Sequence, residues 1–464
     1  MANAATTTTS QSVGLRRTLT LWDLILYGVI VIQPTAPMSV FGVLSERGRG
    51  HVVTTILIAM VAMLFTAISY GRMARAYPSA GSAFTYVGQE INPAVGYVTG
   101  WSMAMDYMLN PMICIIWCSK AAMNFAPGVP YAVWAVFFFM VFTGLNLRGI
   151  RTSARLNTAL AAGMGVVIAI FFVTAARYIF GHSHDGFAFF TRPFYDPATF
   201  NTKIVLGGTS IAVLTYIGFD GISTLSEEAE NPRRNILLAT VLTCVVIGFL
   251  SALEVYVAQL VWPASQPFPD VDTAFVHVAG RAAGAWFFVV MNLTLLLANF
   301  GSGMGAQLGA ARLLFGMGRS NALPKSFFGV VDVKRRVPRN NVIFVGVVAL
   351  IGAFTISYGF GAEMLNFGAL IAFMGVNLAA FLRYYIGPKE ERSTGWQRLT
   401  EPKRLFVFGI PPLIGFFVCL LLWLNLSRPA VIAGGIWMLA GILFGAWKTG
   451  GFRRDLVNFE VPAE

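Results

Sequence analysis

Long apolar stretches alternate with short polar connections through almost the whole of this chain. A helix needs about 20 predominantly apolar residues to cross the hydrocarbon of a bilayer. Twelve such runs are read near residues 20–44, 53–71, 94–123, 131–147, 156–180, 204–225, 236–262, 284–314, 341–358, 364–386, 405–425 and 430–448. Two of them, five runs apart, carry residues that a helix interior tolerates poorly. The first passes from Gly28 to Met38 through Gln33, Pro34, Thr35, Ala36 and Pro37; the second reads Thr215, Tyr216, Ile217, Gly218, Phe219, Asp220, Gly221. Proline removes a backbone donor and clashes one turn back, and glycine weakens a helix by roughly 1 kcal/mol. Freed backbone groups find no water in hydrocarbon, so a broken helix survives only inside protein or along a wet cavity. Corresponding breaks in two halves of a membrane protein point to a substrate site at the midplane, as in a carrier.

Composition agrees. Of 464 residues 56% are hydrophobic and 12% charged, and the mean hydropathy is +0.68. A soluble protein carries about 25% charged residues. The start is polar, and the first apolar run is too long for a cleavable signal peptide and lacks a small-residue cleavage site. The net charge of +12 raises the question of a nucleic-acid partner. With the N-terminus in the cytoplasm, 25 of the 33 Lys and Arg fall on that side and 8 on the other. That is the positive-inside bias of a membrane protein with both termini cytoplasmic, and it needs no nucleic acid.

The polar punctuation of the spans offers little enzyme chemistry. Cys114, Cys118, Cys244 and Cys419 all lie in spans, so a disulfide framework is not expected, and Cys114 and Cys118, one turn apart, read as packing residues rather than metal ligands. The four histidines, His51, His182, His184 and His277, fall in outer loops. Gly301-Ser302-Gly303-Met304-Gly305 follows no strand, so it fails the context of a phosphate loop and reads as close helix packing. Asn299 and Ser302 beside it are candidates for an ion site. No cofactor or resident metal is expected.

Carboxylates inside the spans are more informative. One at a helix centre costs roughly 2.5–3.5 kcal/mol on insertion scales and normally faces a cavity or a partner. Asp106 sits well within span three and Glu254 in the outer half of span seven; Asp220 adjoins the second break. Asp23 stands at the start of span one, where it reads as a cap.

At these residues a family resemblance emerges. The stretch from Tyr216 through Gly218, Phe219, Asp220, Ser223, Glu227, Glu228, Glu230, Asn231 and Pro232 to Ile236 resembles the pattern around span six of amino acid–polyamine–organocation (APC) permeases. Ser69-Tyr70-Gly71-Arg72 through Tyr77-Pro78 to Tyr86, Gly100-Trp101 to Pro111, and Ala311-Arg312 to Pro324 agree with it. Within the superfamily the chain is most similar to bacterial putrescine importers, sharing Phe65 to Gly71 and Asn366-Phe367-Gly368-Ala369-Leu370 to Phe373.

The resemblance implies an all-α fold of twelve transmembrane helices, with helices 1 and 6 broken. Two inverted five-helix repeats, about 19–180 and 204–386, form a transport core over 19–386. A cytoplasmic tail over 1–18, two additional helices over 387–448 and a cytoplasmic tail over 449–464 complete it. Substrate is expected between the breaks, lined by Ile32, Gln33, Thr35, Ala36, Tyr216, Gly218 and Phe219, with Asp106 and Asn110 from span three. Asp220, Asn299 and Ser302 are assigned to coupling or gating, and the acidic loop with Glu227 and Glu228 to a cytoplasmic latch.

Substrate and coupling follow from departures. Amino acid permeases usually place glycine-rich backbone at the first break, where bare N–H groups take a carboxylate; here Pro34 and Pro37 remove two donors from that strip. The reading is therefore import of a small organic amine, putrescine first, with an amino acid as the alternative. Some relatives carry a Lys in span five that replaces a sodium ion; span five here has none, so Asp106 is expected to carry a coupling proton, with sodium the rival. A membrane enzyme lacks its residues here, and paired breaks argue against a channel. A bacterial inner-membrane carrier and a non-transporting sensor separate by exchange of labelled substrate, which only the carrier performs.

Overall fold

The computed structural model describes residues 19–77, 82–149, 154–225, 229–319, 322–332, 335, 337–389 and 402–451. These residues are helices and connections, with one isolated parallel bridge between Leu19 and Ala229. Helix α1 (Leu21–Ile32) opens on a capping box: the Asp23 N–H donates to Thr20 Oγ1 at 3.3 Å and the Thr20 N–H to Asp23 Oδ2 at 2.9 Å. Two of the orphan donors of a helix start are thus satisfied, and Asp23 is a cap.

After α2 (Ala36–Arg47) come α3 (Val52–Ala76), α4 (Ser82–Glu90), α5 (Pro93–Phe125), α6 (Tyr131–Arg148) and α7 (Ala154–Phe180), then the short α8 (Phe187–Thr191) and α9 (Thr202–Ala212). The second half has α10 (Pro232–Val261), α11 (Ala274–Ala283), α12 (Ala285–Arg319), the short α13 (Lys325–Phe328), α14 (Arg339–Thr355) and α15 (Tyr358–Phe381). Helices α16 (Ile410–Leu424) and α17 (Arg428–Thr449) follow.

Among the described residues nine helices are long and apolar enough to cross a membrane, and ten when α1 and α2, bent by 44° at their junction, count as one span. Helices α5 and α14 occupy the other two predicted segments. At 33 residues α5 has ample length. It carries Asp106, Asn110 and Lys120 and is buried around most of its circumference, so it does not need a lipid-compatible surface. The outer helices do. Phe180, Phe417, Ile436 and Trp447 stand exposed in an apolar periphery, which on a chain this hydrophobic is a lipid-facing belt. The protein is an integral membrane protein.

The interior forms where α3 packs on α10 and where α5 packs on α12 and α15. Small residues permit the approach. A Cβ at Gly28 would lie 2.5 Å from Ile222 Cδ1 and 2.8 Å from Thr243 Oγ1, so Gly28 serves packing inside α1 rather than the interruption further on. Within the glycine run of α12 the packing reading holds for Gly303, whose Cβ would strike Phe142 and Cys114, but Gly301 and Gly305 face open space. The expectation of outer loops for all four histidines needs one correction, at His277, and for His51 the connection is a buried one. His277 is part of α11. His51 is fully buried at the start of α3, with Nδ1 2.9 Å from Gly48 O and Nε2 accepting the Asp196 N–H at 3.2 Å.

Candidate substrate site

Helix α1 stops because Gln33 turns to φ 70°, a left-handed conformation uncommon for a residue with a side chain. The Gln33 N–H still closes onto Val29 O at 3.1 Å, and its side-chain Nε2 donates to Ala298 O of α12 at 2.7 Å. The chain then re-enters a helix at once. Ala36 N–H donates to Gln33 O at 3.1 Å, Met38 N–H to Thr35 O at 3.1 Å and Ser39 N–H to Thr35 O at 3.4 Å. Pro37 has no N–H to offer. The donors over the first turn of α2, ordinarily a ready anion site, are therefore bonded or missing. Thr35 is buried with Oγ1 3.9 Å from Met164 Sδ of α7, and Ile32 is buried beside it.

The sixth predicted span loses its α form at Ala212. A 3-10 turn covers Val213–Thr215, Gly218 adopts φ 120°, and a second 3-10 stretch runs Phe219–Leu225. Gly218 abuts the end of α1: a Cβ there would lie 3.1 Å from Val31 Cγ1 and 3.4 Å from Ile32 Cγ1. The turn of backbone at Gly218 thus meets the end of α1. Tyr216 points elsewhere, being fully buried with its hydroxyl donating to Ile56 O of α3 at 3.0 Å. Phe219 joins an aromatic cluster, with Tyr70 edge-on at 5.4 Å and Phe373 at 5.3 Å between centroids.

Asp220 and Asp106 are both buried and lie within Coulomb range of each other. The Tyr107 hydroxyl reaches Asp220 Oδ2 at 3.5 Å, the long limit of a hydrogen bond. The fully buried Tyr70 hydroxyl, which has no hydrogen-bond partner among the described residues, sits in the field of both carboxyls. Two carboxyls among aromatic rings can neutralise an ammonium and receive its alkyl chain. Asp106 and Asp220 are legible in the sequence as carboxyls inside spans. Tyr70, Tyr107 and Phe373 carry no signal there beyond their place in the blocks of family resemblance.

The remaining candidates are distributed around this centre. Asn110 Oδ1 accepts the Cys114 thiol at 3.5 Å, and Ser302 is in hydrogen-bond reach of the same thiol. Asn299 Nδ2 donates to Ser39 Oγ and to Leu295 O, both at 2.9 Å, joining α12 to α2. Glu227 and Glu228 lie outside the described residues. Their neighbour Glu230 donates its N–H to Leu19 O at 2.8 Å, which ties the start of α1 to the chain beyond the second interruption. Among the described residues no group of three His, Cys, Asp or Glu could hold a metal. At the other end of α5, Lys120 Nζ lies 3.0 Å from Asp270 and 3.9 Å from Asp272. Burial and the neighbouring Asp270 carboxylate push Asp272 up to about 6, against the pull of Lys120.

Known proteins are similar in sequence to this chain over most or all of its length. The amino acid permease family model matches residues 24–447. A low-affinity putrescine importer of Escherichia coli is 35% identical over 100% of both chains. A branched-chain amino acid permease of Bacillus subtilis is 23% identical over 94% of this chain and 93% of its own. A methylthioribose transporter of the same organism is 25% identical over 94% of each. The chain belongs to the amino acid permease family of the APC superfamily. It is a membrane permease.

Proposed function

We propose that the protein is a secondary carrier that imports a small organic amine, with putrescine the leading substrate, by alternating access. The observation that carries this is the first turn of α2, where Ala36, Met38 and Ser39 donate their N–H groups to Gln33 and Thr35 carbonyls and Pro37 has none. A carboxylate finds no free donor at Ala36, Met38 or Ser39 and only the Thr35 N–H just before the turn, whereas an ammonium needs none. Asp106 and Asp220 supply the negative charge, and two carboxyls suit a diamine better than one. Tyr70 and Phe219 pack the four-carbon chain. The full-length similarity to a putrescine importer supports the same substrate.

Around that site we infer twelve crossings in two inverted repeats, over about 19–180 and 204–386, with both termini cytoplasmic in a bacterial inner membrane, as the basic loops imply. The proton is the coupling ion of this reading. A sodium ion between α1 and α12 would meet the amide donors of Gln33 and Asn299, which already occupy Ala298 O and Ser39 Oγ. An amino acid is the second reading, favoured by relatives such as the branched-chain amino acid permease. Uptake of labelled putrescine into proteoliposomes, competed by unlabelled diamines and by neutral and cationic amino acids, tests the proposal. Competition by amino acids but not by diamines sinks it.

A further inference from the structure

One ionisable side chain deep in the protein belongs to none of the groups above. Glu254 lies on α10, fully buried, and neither of its carboxyl oxygens has a hydrogen-bond partner among the described residues. It stands 7 residues before the end of the 30-residue helix at Val261, about 10 Å along the axis. An ionised carboxylate in such a place has lost its hydration and gained nothing, so a proton or another cation must accompany it.

Glu254 is part of a polar file. Thr243 Oγ1, Ser251 Oγ and Gln259 Oε1, on the same helix, are likewise buried with no partner among the described residues. The file begins at Gly28, against which Thr243 packs, and passes Gly248, where a Cβ would lie 3.2 Å from the Tyr216 hydroxyl. It ends at Gln259, whose amide abuts Gly50. It therefore runs from near the α1 interruption to the far end of α10.

No charged group on the packed elements pairs with Glu254 among the described residues. On α2, Arg47 bonds Glu363 at 2.7 Å and Glu46 is acidic. On α11, Arg281 donates to Tyr178 Oη and Gln266, and His277 meets Phe288 edge-to-face. Both ring nitrogens of His51, at the start of α3, are bonded. Arg72 and Arg75 lie at the opposite end of α3, since Gly71 abuts Leu237 while Met60 abuts Gly248. Asp23, exposed and bonded to Thr20, and Tyr27 are on α1, Asp220 lies in Coulomb range of Cys244 on the inner part of α10, Arg177 belongs to α7, and Arg233, Arg234 and Tyr256 are on α10 itself.

We propose that Glu254 is a proton-carrying site of the transport cycle, loaded past the other unpartnered polar side chains of α10 and separate from the carboxyls that take the amine. A proton from water on one side forms an O–H bond at the Glu254 carboxyl, and that bond breaks to water on the other side as the carrier alternates. This rests on the reading of a proton-coupled carrier and relieves Asp106 of serving ammonium and proton together.

The test is Glu254→Gln, nearly isosteric, in proteoliposomes with labelled putrescine. The expected variant keeps counterflow with no gradient but loses accumulation driven by an imposed pH gradient. Gradient-driven accumulation like that of the wild type, or accumulation driven by sodium alone, overturns the proposal. If the wild type exchanges labelled lysine or leucine but no putrescine, the amine reading fails alone, and the same comparison on that amino acid decides Glu254. Infrared difference spectra of the substrate-free protein give a second readout. The wild type must show a protonated carboxyl C=O band that titrates and that Glu254→Gln lacks; its absence overturns the proposal even if the variant fails to insert.

Discussion

Gly218 is the position where the two interrupted segments can be pushed apart with least change elsewhere. Its φ of 120° is nearly closed to residues with a Cβ, and an added Cβ would stand 3.1 Å from Val31 Cγ1 and 3.4 Å from Ile32 Cγ1. Holding a non-glycine residue in so sparsely populated a conformation costs about 1–3 kcal/mol. The end of α1 must also yield by a few tenths of an ångström. Gly218→Ala should therefore insert normally and melt at a lower temperature in the absence of ligand. Gly218→Leu adds an isobutyl group to the same contact and should part the segments enough to remove one flank of the bound ammonium. A hydrogen bond to a charged group contributes about 1.5–3 kcal/mol, so putrescine affinity should fall by roughly ten- to a hundredfold, at about 1.4 kcal/mol per factor of ten. Thermal melting of the purified protein over a putrescine titration reads both effects, because the ligand-free midpoint reports strain and the ligand-induced rise reports binding. Gly218→Leu with unchanged affinity would remove Gly218 from the site, and Gly218→Ala with an unchanged ligand-free midpoint would refute the strain.

Other outcomes follow from the same geometry. Asp106→Asn and Asp220→Asn should each weaken putrescine binding at least tenfold by the same arithmetic of about 1.5–3 kcal/mol, while Asp23→Asn leaves affinity unchanged in the same titration. Thr20→Ala should cost about 1 kcal/mol through loss of the capping box, seen in melting and not in affinity. Asp272, raised from 3.8 to about 6, contributes stability that is complete below pH 3.8 and lost as the pH rises through 6. Asp272→Asn should flatten that part of the melting curve against pH, and parallel wild-type and variant curves between those values would refute the assignment. Lys120→Met, which removes the only named counter-charge of Asp272, should push its titration higher still.

Much of this arrangement is legible in the sequence because the bilayer imposes it. Helices lie over all twelve apolar runs, since in hydrocarbon the helix is how a single segment satisfies its backbone. The positive φ angles at Gln33 and Gly218 fall beside a proline and on a glycine, which are local signals. What escaped was pairing between distant segments. Tyr70, Tyr107 and Phe373 surround Phe219 and Asp220 from three other segments, and no periodicity along one helix reveals which faces meet. The same gap covers Tyr216, whose hydroxyl bonds Ile56 O of the distant α3. Helix α5 shows the converse: its polar residues depress its hydropathy, yet its place in the protein makes an apolar exterior unnecessary.

The tie between Leu19 O and the Glu230 N–H is made entirely of main-chain atoms. Such a clasp is blind to side-chain identity, so Leu19 and residue 230 are free to drift in sequence while the clasp persists. Only a residue without an amide hydrogen undoes it, which makes proline at 230 the one coding change that unfastens the two segments at this end while they still touch at Gly218.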